Sequence, residues 1–276
     1  MKTAIVTDST ADLPPEILAQ YQIGVIPTYL VMEGTSLPDG AALDRAEFYR
    51  QLPTMPQHPT TAAPSVGEIT ALFEKFLQHG YTQIVAIHLS STLSNTCNHA
   101  RVAAQAFAGR VQVLDSRQIS LGLGFQVLAA ARAAQRGETV TQIVETANRI
   151  RERVHVVAML DTLEYVRRSG RVSWARATLG NLLQIKPFVE LRDGEVLRLE
   201  QARTRHKGLA RLLYRLQTLQ PLSQLGLLHS NAEQDARAIL HQLQPELAEP
   251  PLLVQVTPVL GNHVGPNGVG FAAVTR

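Results

Sequence analysis

From Thr3 onward the chain alternates short apolar β-type runs with helix-patterned segments, and this alternation limits its fold more than any other feature. Thr3 to Thr7 reads as a strand stopped by Asp8-Ser9-Thr10, and the spacing predicts Asp12 as the N-cap of a helix with Pro14-Pro15 in its first turn. Gly24 to Met32 is β-rich. Ser65-x-x-Glu68 ahead of Ile69, Leu72, Phe73 and Phe76 is a capping box on an amphipathic helix. A strand at Ile84 to Leu89, an Ala-rich segment from Leu93 to Phe107, a strand at Val111 to Leu114, and helices over Leu121 to Gln135 and Val140 to Arg151 continue the series. Strand and helix taking turns in this way predict a parallel sheet covered on both faces, because parallel neighbours need a crossover between them.

Past residue 155 the pattern changes. Val154 to Leu160 reads as a strand, Asp161 as an N-cap, and Pro187 to Leu199 as two strands joined at Asp193-Gly194, a hairpin signal. A helix over Thr204 to Leu219, a strand at 224–229, a helix at 232–244, a strand at 252–256 and a Gly-rich tail ending in Val269 to Val274 follow. The fold class expected is α/β in two domains: an N-terminal parallel-sheet α/β/α domain over 1–155, and a C-terminal α/β domain with a mixed sheet over 156–276.

Composition removes several functions. No apolar run approaches the roughly 18 residues that span a bilayer, and the N-terminal stretch meets Asp8 too early for a signal peptide, so a cytoplasmic protein is expected. The single cysteine, Cys97, can form neither an internal disulfide nor a structural zinc site. Lys plus Arg number 26 against 23 Asp plus Glu, too weak a field to imply nucleic-acid binding. Arginine nevertheless crowds the second half, and Arg203-Thr204-Arg205-His206-Lys207 places cations at a helix start, against the macrodipole, which hints at an external partner. Arg167-Arg168-Ser169-Gly170-Arg171 reads as a helix end with Gly170 near its C-cap.

Four polar segments could carry chemistry. Thr7-Asp8-Ser9-Thr10 follows the first strand at the carboxyl edge where ligands of doubly wound sheets sit, but turn and capping chemistry is the favoured account of it over a ligand role. In Pro59-Thr60-Thr61-Ala62-Ala63-Pro64-Ser65 the two threonines are spare donors. Ser90-Ser91-Thr92-Leu93-Ser94-Asn95-Thr96 offers five hydroxyls in seven residues where a strand enters a helix, more than capping requires, and suits a carboxylate or phosphate. Gly261 to Gly270 holds His263, which reads equally well as an anion donor or as a buried, satisfied histidine. There is no G-x-S-x-G elbow, Walker A loop, dinucleotide fingerprint or H-E-x-x-H motif, and Cys97 and His99 point in different directions on a helix, so both are assigned to packing.

Taken together, Thr7-Asp8-Ser9-Thr10-Ala11-Asp12, Thr60-Thr61 with Pro64-Ser65, Leu89-Ser90-Ser91-x-Leu93-Ser94-x-Thr96, Asp115-Ser116, Gly170-Arg171-Val172-Ser173, Gly180-Asn181-Leu182-Leu183-x-Ile185-Lys186-Pro187, Arg203-Thr204-Arg205 and His263-Val264-Gly265-Pro266 occur in an order that resembles the DegV family of bacterial fatty-acid-binding proteins. The resemblance implies a lipid tunnel between the two domains that encloses one long-chain fatty acid. It assigns the carboxylate to Thr61 and Ser94, with Ser91 as a neighbour and His263 nearby. It implies no cofactor and no catalysis by this chain itself. The bound acid would be presented to a separate ATP-dependent fatty-acid kinase, whose acyl-phosphate product feeds phospholipid synthesis, with Arg171 and Arg203 on the phosphate-facing or kinase-facing side. A transient membrane contact is compatible with such a role. The alternative is a hydrolase using Ser91 or Ser94 as nucleophile with His263 on a lipid ester or phosphoester; no third, orienting acid is evident for it.

The sequence departs from the family pattern at several positions. Ala62 replaces a usual Ser, Asn95 a usual Gly, Cys97 a common aromatic, Asn262 a Thr and Asn267 a Gly. Losing the hydroxyl at 62 throws more of the expected carboxylate contact onto Thr61, Ser94 and His263. Burying each methylene of a ligand is worth roughly 0.8 kcal/mol, so a long acyl chain would gain on the order of 10 kcal/mol before binding costs. The head group would be costly in the same tunnel unless several hydrogen bonds met it, which is what clustered hydroxyls and an imidazole supply.

Overall fold

The computed structural model describes residues 2–40, 44–177, 185–244 and 246–276. Its strands, in chain order, are β1 (Thr3–Asp8), β2 (Gly24–Ile26), β3 (Tyr29–Met32), β4 (Thr35–Pro38), β5 (Thr60–Ala62), β6 (Gln83–His88), β7 (Val111–Asp115), β8 (Val154–Met159), β9 (Lys186–Arg192), β10 (Glu195–Ala202), β11 (Leu222–Ser230), β12 (Leu252–Gln255) and β13 (Gly268–Thr275). Two compact units result. One comprises the chain up to Tyr29, Ala62–Arg153 and Asp193–Glu195; the other comprises Leu30–Thr61, Val154–Arg192 and Val196–Arg276. Leu30–Thr61, which the sequence division at 155/156 grouped with the N-terminal domain, therefore clusters with the second unit.

The first unit is built on a parallel sheet of order β2-β1-β6-β7, with Val6 opposite Gly24, Ile5 opposite Val85 and Ala86 opposite Val113. Every residue of β1 is buried, as is β6 from Ile84 on, which is the continuous apolar texture of strands covered on both faces. On one side Ile69 and Phe73 of the Val66–Gln78 helix pack with Val6, Ala86 and Phe107. The Ser120–Gln135 helix, apolar nearly all round, packs against β1.

Local signals mostly act as read. Ser65 accepts from the Glu68 amide at 3.2 Å while the Glu68 carboxylate accepts from the Ser65 amide at 2.8 Å, closing the capping box. Asp12 is an exception. Pro15 does open the Pro15–Gln20 helix, but Pro14 holds the N-cap position, and the buried Asp12 carboxylate instead accepts the Ser120 hydroxyl at 2.6 Å, a bond that sequence proximity could not reveal.

In the second unit a mixed sheet runs β10-β9-β8-β13-β11-β12. β8 is antiparallel to β9 and to β13, β13 is antiparallel to β11, and β11 is parallel to β12. The hairpin falls at Asp193 and Gly194, both at positive φ (51° and 90°), the backbone that a two-residue turn demands. Met159, Phe188, Leu212, Leu216, Leu227 and Phe271 form its core. A separate three-stranded sheet has the order β4-β3-β5.

Two readings are corrected in this unit. Asp161 does not cap the Glu164–Ser169 helix; its carboxylate pairs with Lys186 at 2.6 Å, and the Thr162 hydroxyl accepts from the Glu164 amide at 3.2 Å. The stretch preceding β13, read from the sequence as part of a Gly-rich tail with no helix assigned, forms the helix Pro258–Val264. Pro258 starts it, and Gly261 lies within it because a Cβ there would come 2.2 Å from the Tyr49 hydroxyl, so this glycine marks close packing. Gly170 ends the Glu164–Ser169 helix in the left-handed conformation, as its sequence position suggests. The Gly180-Asn181-Leu182-Leu183 part of the family-like motif lies outside the described residues. Among those described, no helix is long and apolar enough to cross a membrane.

Replacing Ser65 by Ala removes the hydroxyl that caps the Glu68 amide while keeping the Ser65 amide that donates to the Glu68 carboxylate. Urea unfolding followed by circular dichroism is expected to register a loss of about 1 kcal/mol.

Candidate functional site

The second unit brings two of the expected residues together. Thr61, on β5, has its hydroxyl 3.0 Å from Nε2 of His263, on the Pro258–Val264 helix. That helix is fixed from several sides. Asn262 donates from Nδ2 to the Pro59 carbonyl at 2.9 Å, and Tyr49 donates its hydroxyl to the Val256 carbonyl at 2.9 Å. Gly265, at φ +76°, lets the backbone pass where a Cβ would lie 2.2 Å from the Tyr165 ring. The Tyr165 ring in turn faces His58, with centroids 5.7 Å apart.

Burial pushes the His263 imidazole down to about 4, with Arg171 and His58 adding to it. Burial also lowers His58, helped by Arg168 and opposed by the Asn262 backbone and Glu164. Both imidazoles are therefore uncharged at neutral pH. The Nδ1 atom of His263 is buried and has no hydrogen-bond partner, so the reading of this residue as a satisfied core histidine does not describe it. Arg171 is exposed, and its Nη1 donates to the Ser169 carbonyl at 2.9 Å. Arg203 is exposed just ahead of Thr204, whose hydroxyl caps the Arg205–Thr218 helix.

In the first unit every hydroxyl of the Ser90 to Thr96 turn has a protein partner. Ser90 donates to the Gly194 carbonyl at 3.0 Å, and Thr92 donates to the same oxygen. Ser91 donates its hydroxyl to Asp115 at 2.5 Å, and Ser94 and Thr96 are bonded to each other at 3.0 Å. The surplus that capping alone left over is thus used largely within the protein. Ser91 has its proton committed to a carboxylate, whereas the Ser94 and Thr96 pair retains donor and acceptor capacity. Cys97 is fully buried and its thiol is pushed up to about 11, chiefly by that burial, which suits packing rather than nucleophilic chemistry. Among the described residues no group of three His, Cys, Asp or Glu could hold a metal ion.

A family model described as "Uncharacterised protein, DegV family COG1307" matches residues 2–276. The chain belongs to the DegV family. A DegV domain-containing protein of Deinococcus radiodurans is 36% identical over 99% of this chain and 98% of the relative, and one from Listeria monocytogenes is 32% identical over 98% and 97%. Among solved structures, a DegV protein of Thermus thermophilus, described by its fatty-acid binding, superposes with a TM-score of 0.92 at 29% identity, covering all of both chains. DegV of Bacillus subtilis, described as a fatty acid binding protein, gives 0.89 at 30% identity, again over all of both chains. These likenesses bear out the two-domain α/β reading.

Three residues around His263 in this DegV protein escaped the sequence reading: His58, Tyr165 and Tyr49. None belongs to a periodic pattern or recognised motif, and each reaches the Pro258–Val264 helix only through the fold. Asn262 stood out in the sequence only as a departure from the family pattern, and its buried bond to Pro59 supplies a physical role.

In the unfolded chain the His263 imidazole titrates near 6.5, and in the folded chain only near 4, so the folded state resists protonation. Its full stability holds above pH 6.5 and is lost as pH falls toward 4. Between pH 7.5 and 5 the expected loss from this residue is about 2 kcal/mol, read as the difference in urea unfolding between the parent and a His263→Asn variant.

Proposed function

We propose that this DegV protein binds a long-chain fatty acid and has no turnover of its own, and that Thr61 and His263 hold the carboxylate. The observation that carries this reading is the half-buried pair itself, a threonine hydroxyl bonded to an imidazole whose other ring nitrogen is buried and has no partner within the protein. A carboxylate accepts from such groups and becomes tolerable in a buried setting only when it does so. Fatty-acid binding by the Thermus thermophilus and Bacillus subtilis relatives supports the choice of ligand class. For Ser94 and Ser91 the proposal rests on the motif they share with the family, with Ser94 the better donor because Ser91 is tied to Asp115.

The proposal extends to a partner. The held carboxylate would be presented to a separate ATP-dependent fatty-acid kinase, which transfers the terminal phosphoryl group of ATP to a carboxylate oxygen and leaves acyl-phosphate and ADP. Arg171 and Arg203, both exposed, are the guanidinium groups assigned to the phosphate or to the kinase. The hydrolase alternative needs a histidine beside Ser91 or Ser94. The hydrogen bonds of these two hydroxyls run instead to Asp115 and Thr96, and among the described residues the imidazole bonded to a hydroxyl is that of His263, with Thr61.

Native mass spectrometry of the protein purified from a bacterial host is expected to show a bound lipid that denaturation releases as a free fatty acid. Thr61→Val combined with Ser94→Ala is expected to weaken binding of that acid at least tenfold, by fluorescence displacement, in a protein whose circular dichroism is unchanged. Unchanged affinity would remove both residues from the site. Arg203→Ala is expected to leave binding intact yet slow acyl-phosphate formation when a fatty-acid kinase is added, and equal rates would exclude Arg203 from that step.

A further inference from the structure

The second unit buries more hydrogen-bonding capacity around His263 than its own residues use. Nδ1 of His263 and Oδ1 of Asn262 are buried without a partner, and the buried ring nitrogens of His58 make no well-formed hydrogen bond, the Asn262 backbone being the polar group that acts on them. The four atoms form one neighbourhood. Asn262 and His263 are consecutive on the helix, Asn262 is tied to Pro59 next to His58, and the two imidazoles act on each other electrostatically. Buried polar atoms are ordinarily paired, so a cluster of unpaired ones calls for a partner from outside the chain.

The surrounding charges say what kind of partner. Arg171 faces His263, and Arg168 faces His58. Glu164, which also faces His58, is already paired with Arg168. Tyr165 stays a phenol, its ionisation opposed first by burial. From the neighbouring Arg45–Gln51 helix, Tyr49 and Arg45 are bonded to the carbonyls of Val256 and Gln255, and Glu47 pairs with Arg50. The setting is thus two uncharged imidazoles, an Arg168–Glu164 pair whose charges offset each other, and Arg171 with, among the described residues, no carboxylate set against it near His263. It favours an anion.

We propose that His58 is a second imidazole of the head-group site, and that the His58 and His263 pair takes up one proton as the fatty-acid carboxylate binds. This rests on the fatty-acid reading given above and adds to it a residue and a stoichiometry. An anion placed between neutral imidazoles favours the charged form of one of them, and a shared proton converts neutral hydrogen bonds into shorter, charge-assisted ones. The count does not depend on where the proton rests. An imidazolium beside a carboxylate and a neutral imidazole beside a carboxylic acid each hold one proton more than the free protein plus the free, ionised acid.

The test is titration calorimetry at pH 7 in phosphate and in Tris, whose ionisation heats differ, with hexadecanoic acid and hexadecan-1-ol as probes. For the acid, the buffer dependence is expected to show uptake of about one proton, and Kd to rise about tenfold for each pH unit above neutrality until the bound pair itself deprotonates. The alcohol is expected to show neither effect. His58→Gln is expected to weaken the acid about tenfold and the alcohol less than twofold, a split that a merely structural change would not produce. Tight binding of the acid without proton uptake would overturn this inference and leave the fatty-acid reading standing; so would a folded His58→Gln protein with unaltered Kd and uptake. Failure of the parent protein to bind the acid at all would instead overturn the fatty-acid reading, and this inference with it. Should His58→Gln not fold, the proton count on the parent protein decides alone.

Discussion

The fully buried carboxylate of Asp8 sets the terms for the first unit. It lies at the end of β1 and accepts the Thr10 amide at 3.1 Å, the Thr10 hydroxyl at 2.5 Å and the Leu89 amide at 3.0 Å, with His88 Nδ1 3.1 Å away. A charge with no exposure to water persists only when its oxygens are met in this way. Nearby acids are met likewise: the half-buried Asp115 at the end of β7 by Ser91 and the Arg117 amide, and the buried Asp12, after the Ser9–Ala11 turn, by Ser120. The carboxyl edge of the parallel sheet is therefore a set of acids saturated by nearby hydroxyls and amides, and the hydroxyl-rich turn after β6 belongs to that arrangement.

The second unit gathers several unmet polar atoms in one place. Around His263 it buries imidazole nitrogens and an amide oxygen that make no well-formed hydrogen bond. Such groups destabilise a fold by about 1–3 kcal/mol each unless something satisfies them, and backbone constraints hold them in place here: Pro258 starting the helix, Gly261 admitting Tyr49, Gly265 admitting Tyr165. Stability spent at one small region of an otherwise well-packed unit is the usual mark of a site.

The departures from the family pattern acquire meaning in this light. Asn262 turns its side chain into a tie between the helix and Pro59, something a hydroxyl could reach less far to do. Asn267 sits at φ +63°, a conformation asparagine tolerates better than most residues, so it replaces glycine there without great strain. Asn95 occupies the N-cap position of the Thr96–Ala104 helix without making a side-chain cap bond, and Cys97 fills core space.

Much of the architecture was legible in the sequence because its signals are local. The capping box at Ser65 and Glu68, the hairpin turn at Asp193-Gly194, the Gly170 helix end and the short apolar runs of the strands each follow from a few neighbouring residues and their backbone preferences. Thr61 and His263 were legible as chemistry, through hydroxyl and imidazole motifs. The tertiary structure alone decided which hydroxyls the protein uses itself, that Asp12 and Asp161 serve Ser120 and Lys186 rather than helix ends, and that Leu30–Thr61 groups with the second unit. It alone also placed His58 beside His263. Burial and hydrogen-bond satisfaction depend on residues distant in the chain, and no local pattern encodes the partner a side chain meets after folding.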